Sequence, residues 1–244
     1  MAEPGRQGQP PPLRAAAAPA AAGCILAGTA AVTIAVLAGP GPGFTGYVSE
    51  AGIAGSGHAL TYRIGVYALA AGVLLLAAAL PARLWMAAAL LGAGSLSTAL
   101  SGTVTCSVGC PLPPFERATV GDLVHGGASI AATGTIVLAM VAVALHRDAG
   151  RRLRGLAAGA AAVALPLCAA VGLAMLLVGR GSLVGVLERV VLAVAVLWGV
   201  ATATVLGFTD PPAPPVRTGG ASRTGDGKRH PPSSEGFDHR RPPS

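Results

Sequence analysis

Six apolar runs, each close to the length that crosses a lipid bilayer as a helix, leave this chain very few folds to adopt. They cover about residues 20–39, 61–80, 84–104, 122–145, 156–178 and 187–208. An α-helix rises about 1.5 Å per residue, so roughly 20 apolar residues span a hydrocarbon core about 30 Å thick. Composition points the same way. Only 11% of the 244 residues are charged, 52% are hydrophobic, and the mean hydropathy is +0.64. A soluble domain carries about 25% charged residues, and this chain lacks the polar surface to cover itself in water. The expected fold class is therefore all-α: a polytopic membrane bundle of six transmembrane helices, with the lipid bilayer as its partner.

Outside these runs the chain is polar and rich in proline and glycine. Residues 1–19 and 209–244 are expected to be disordered tails flanking a membrane domain over 20–208, because neither holds enough apolar side chains to bury a core. The first run is read as a membrane helix and not as a cleaved signal, since it is long for a signal core and no small-residue cleavage site follows it. Pro211-Pro212-Ala213-Pro214-Pro215 would suit a polyproline ligand, but a passive tail is the simpler expectation. The second and third helices are joined only by Leu80-Pro81-Ala82-Arg83, which predicts a tight helical hairpin. Pro166 should kink the fifth helix, and Gly155 and Gly159 give the spacing of a close-packing face. All but one of the lysines and arginines are arginine, and alanine is abundant, which suggests a GC-rich bacterial genome.

Charge fixes the expected orientation. Arg6, Arg14, Arg83, Arg147, Arg151, Arg152, Arg154 and the basic C-terminal tail fall on one side, against Arg63, Arg117, Arg180 and Arg189 on the other. Positive loops stay in the cytoplasm, so both termini are expected there, in a multi-pass protein of the cell membrane. The net charge of +7 is thereby accounted for without nucleic acid, which would demand a folded basic face.

Ionisable side chains are costly inside a bilayer, and each is a candidate for function. Glu50, His58, Arg63, Glu116, Arg117, Asp122, His125, Glu188 and Arg189 all fall toward the outer side. Asp122 and His125 are three apart at a helix start and share a face. Asp122 can complement the helix N-terminus and can also orient the imidazole. The expectation is one outer polar pocket formed by Ser49, Glu50, Asp122 and His125, with Arg63, Glu188 and Arg189 at its edge. An activity that used His125 would show a histidine in its pH profile. Cys106 and Cys110 lie in the second outer loop, where an oxidising compartment makes a disulfide the expectation and free thiols the alternative. Cys24 and Cys168 fall within apolar runs, as small buried hydrophobes.

Ser49-Glu50-x-Gly52 after the first helix, the Cys110-Pro111-x-Pro113-Pro114 loop and Asp122-x-x-His125 opening the fourth helix resemble a bacterial membrane family known as domain of unknown function 998. The resemblance covers roughly residues 20–208. It implies six helices in a membrane and supplies no activity, substrate or cofactor.

Three functional classes stay open. One is a lipid-binding protein, sensor or scaffold using the outer pocket. A second is a membrane-embedded hydrolase, metal-dependent in one form. It would need about three protein ligands on zinc, and His58, His125, Asp122 and Glu50 are the available set without any His-Glu-x-x-His spacing. A third is a transporter of a small or apolar molecule, although no internal repeat is visible and no charge falls near a helix midpoint. No metal site and no cofactor are assigned. No phosphate-binding loop, dinucleotide fingerprint or nucleophile elbow occurs, nor do paired intramembrane histidines for a haem.

Overall fold

The computed structural model describes residues 12–39, 46–111, 113–179 and 181–208. Among them are six long helices and no strand: α1 (Pro12–Ala38), α2 (Ala59–Ala79), α3 (Trp85–Thr103), α4 (Val120–Leu145), α5 (Arg151–Leu177) and α6 (Ser182–Gly207). Each is long and apolar enough to cross a membrane. Short 3-10 turns at Val48–Gly52 and Ala82–Leu84 lie in the first two connections.

Helix boundaries differ from expectation mainly at N-termini. α1 starts at Pro12, so part of the segment expected to be disordered is helical. Proline is well placed in a first turn, where its missing N–H has no partner to lose, and the alanines after it are strong helix formers. Residues 1–11 and 209–244, including the proline-rich segment, lie outside the described residues. α5 begins at Arg151 and continues through Pro166. α6 begins at Ser182, which puts Glu188 and Arg189 inside the helix instead of at its entrance.

The helices form a ring. Each packs on its neighbours in sequence, and α6 closes against α1. Short connections between antiparallel helices favour this order. The tightest crossing is α1 on α2, and glycine permits it. A Cβ on Gly28 would lie 2.7 Å from the Gly65 carbonyl oxygen, and one on Gly65 would lie 2.9 Å from the Gly28 carbonyl oxygen. Gly72 likewise meets the Ile25 backbone. Close backbone approach through small residues is how membrane helices gain contact, since lipid offers no hydrophobic drive for their association. The close-packing face is therefore here and not at Gly155 and Gly159, which are exposed and have open space beside them.

The two ends of the ring differ. At the end with the Pro81 hairpin and the arginine-rich α4–α5 connection, a packed cluster including Leu76, Leu84, Leu91, Met140, Val143 and Trp198 closes the interior. At the other end lie residues 46–58, 104–111, 113–119, 178–179 and 181, here called the cysteine-loop end. Outward positions such as Leu26, Ile34, Leu96, Leu173 and Leu197 expose apolar side chains, as a lipid-facing surface requires.

Candidate functional site

Asp122 is buried and saturated with hydrogen bonds. Thr119 is the N-cap of α4. Its hydroxyl accepts from the Asp122 N–H at 3.2 Å, while its own N–H and hydroxyl donate to Asp122 Oδ2 at 2.8 and 2.7 Å. This is a capping box with aspartate in the third position, which satisfies donors that a helix start leaves orphaned. Ser107 donates to the same carboxylate, from its N–H at 2.6 Å to Oδ1 and from its hydroxyl at 2.9 Å to both oxygens. Asp122 thus anchors the cysteine loop to α4. Its partners are Thr119 and Ser107 and not His125.

His125 faces α3. Its Nδ1 lies 2.9 Å from the Ser101 carbonyl and 2.7 Å from the Val104 carbonyl, both at the C-terminal end of α3. Two carbonyl acceptors require that Nδ1 carry the proton. The ring therefore donates to carbonyls that the end of α3 leaves unpaired. The Ser101 and Ser129 hydroxyls meet at 2.8 Å beside it, and Ser129 donates to the His125 carbonyl at 2.9 Å.

The remaining expected residues gather across the ring. Val48 donates its N–H to Glu188 Oε2 at 3.4 Å. The Arg189 guanidinium donates to the carbonyls of Gly46 and, at 3.1 Å, of Gly185. Glu50 lies in the Val48–Gly52 turn, within electrostatic reach of Glu188. Ser49 Oγ lies 3.3 Å from Cys110 Sγ. Cys106 and Cys110 are joined by a disulfide, with Cα atoms 5.0 Å apart. Phe115 sits over Gly179, whose φ of 72° suits glycine and where a Cβ would meet the ring at 2.7 Å. The loops of this end are thus stitched to one another and to α4 and α6. His58 precedes α2 as its N-cap, and the Arg63 Nε is buried without a hydrogen-bond partner among the described residues.

A larger feature escaped the sequence. Inside the ring is a cavity of about 420 Å³ lined by residues from all six helices. Its wall is mainly apolar, with Val32, Val66, Leu69, Ile136 and Val191 among the lining side chains. Near the cysteine-loop end it meets Ser49, Tyr62 and Glu188; toward the closed end it meets Leu76, Leu91 and Trp198. Glu188 and Trp198 are ten positions apart on α6, which places them about 15 Å apart along the axis. Tyr62 is buried, and its ring covers Gly52 so closely that a Cβ on Gly52 would overlap it. The Ser49-Glu50-x-Gly52 segment thereby acquires a physical reason: glycine lets Tyr62 stand at the cavity wall. Asp122 and His125 do not line the cavity, whereas Ser49 and Glu188 do. No three His, Cys, Asp or Glu side chains are gathered as a metal site among the described residues.

An internal cavity is invisible to hydropathy, because side chains facing lipid and side chains facing an apolar cavity are the same residue types. The available signal was Glu188, an acid placed within an apolar run. No curated protein and no solved structure is significantly similar to the chain. Residues 19–205 match the family described as "Protein of unknown function (DUF998)", and the ring of six membrane-length helices thus belongs to a chain of that family.

Proposed function

We propose that this protein binds a single-chain amphiphile, with the tail in the central cavity and the polar head at the cysteine-loop end. The cavity carries this reading. Ligand pockets are concave, mostly apolar, usually pre-formed, and fixed in orientation by a few polar groups. Here the apolar wall suits an alkyl chain, and Glu188, the one acidic or basic side chain on it, stands with Tyr62 and Ser49 toward the cysteine-loop end. Asp122 and His125 act as positioning residues, since their hydrogen bonds hold the cysteine loop and the end of α3 that frame this end.

The proposal places both termini in the cytoplasm of a cell-membrane protein and the head-group end outside. The excess of arginine at the opposite end supports this orientation. The disulfide is at home on the oxidising side. A binding protein is favoured over a through-channel because Leu76, Leu91 and Trp198 close the interior at the arginine end.

Trp198 at the cavity floor supplies the test. The chain has two tryptophans, and Trp85 is exposed at the start of α3. In a Trp85→Phe background, a terminally brominated dodecyl amphiphile should quench Trp198 fluorescence. Gly172 lines the cavity and has open space where a Cβ would stand, so Gly172→Leu should narrow the cavity and suppress the quenching. Quenching that is absent, or that Gly172→Leu leaves unchanged, would rule out occupancy of the cavity.

A further inference from the structure

The polar end of the cavity has a chemistry specific enough to select a head group. Glu188 is the one acidic or basic side chain among the residues lining the cavity. Its Oε2 accepts a single long hydrogen bond, from Val48 N–H at 3.4 Å, and Oε1 has no hydrogen-bond donor among the described residues. The neighbouring cation, Arg189, donates to the Gly46 and Gly185 carbonyls and lies within electrostatic reach of Glu188. A carboxylate facing an apolar space with one long hydrogen bond is expensive, and the cost is relieved by a cation brought to it. Glu50 also lies within electrostatic reach of Glu188, with an effect opposite to that of Arg189. Beside Glu188 stands Tyr62, whose ring is held at the wall by Gly52. An aromatic face next to a carboxylate favours an ammonium group through its quadrupole as well as by charge. The Ser49 hydroxyl has only the Cys110 sulfur as a partner, a weak acceptor, and remains able to accept an N–H.

We infer that this end of the cavity is a head-group site for a long-chain amine. Glu188 supplies the counter-charge, and Tyr62 and Ser49 the remaining contacts. The inference rests on the reading that the cavity holds an amphiphile, and it adds the sign of the head. Carboxylate and phosphate heads are disfavoured because they would face Glu188 with like charge. A neutral alcohol is tolerated without gain.

The experiment uses the full chain with Trp85→Phe in nanodiscs of a zwitterionic lipid. Terminally brominated dodecylamine, dodecanol and dodecanoate are titrated at neutral pH, with Trp198 quenching as the readout. The amine should bind on the order of tenfold more tightly than the alcohol, and the carboxylate more weakly than either. Glu188→Gln keeps an oxygen for the Val48 N–H and should bring amine and alcohol together. Tyr62→Phe should retain most of the preference, since the ring remains. Equal binding of the three heads, or an amine preference that survives Glu188→Gln, overturns the head-group assignment and leaves the cavity reading standing. No cavity-dependent quenching by any head overturns the cavity reading itself. If Glu188→Gln fails to accumulate, the ranking of the three heads on the Glu188 protein decides alone.

Discussion

At the scale of single residues, Asp122 and His125 show how position can be read correctly and role incompletely. Their spacing places them on one face at the start of α4, and both are buried there. The sequence could not reveal their partners, because Ser107 and the end of α3 are distant along the chain and are brought in by packing. Asp122 accepts from two N–H groups and two hydroxyls, so Asp122→Ala removes the capping box and the loop anchor together. The expected loss is about 3 kcal/mol, combining a cap worth about 1 with hydrogen bonds to a charged acceptor. Thermal unfolding of purified protein should show a lowered Tm, with His125→Ala destabilising by about 1 kcal/mol for its bond to the carbonyls of α3. Unchanged Tm in both would mean that these bonds contribute nothing. Glu188 presents the opposite case. Its position in the sequence puts it at the edge of an outer polar pocket, and α6 begins early enough to carry it to the cavity wall.

At the scale of elements, all six helices were legible, since length and hydropathy suffice for a membrane span. Their contacts were not. A chain with 35 glycines and abundant alanine contains many small-residue spacings, and only the fold selects those that meet another backbone. Gly155 and Gly159 have the spacing and face outward, whereas Gly28, Gly65 and Gly72 make the α1–α2 crossing. Gly65→Val should therefore force these helices apart at a cost of about 1–3 kcal/mol, the usual range for overpacking. Gly155→Val should be close to neutral. Comparing the two Tm values checks the assignment, and equal effects would refute it.

At the scale of the whole molecule, the orientation proposed from arginine distribution makes a direct prediction. Arg117 and Arg147 are exposed at opposite ends of the bundle. In intact cells, Arg117→Cys should react with a membrane-impermeant maleimide, and Arg147→Cys should react only after permeabilisation; the reverse pattern would invert the topology. The sequence by itself determined that this chain is a six-helix membrane protein, because an apolar run of bilayer length has one stable form in lipid, with every backbone group paired within the helix. It also marked the polar residues near one end of those helices. Only the tertiary structure decided which of these residues stabilise the fold and which face a cavity. Hydropathy is a property of each segment alone, but a cavity exists between segments. The closure of α6 on α1 completes the ring around the cavity, and the glycine-mediated approach of α1 to α2 forms part of its wall.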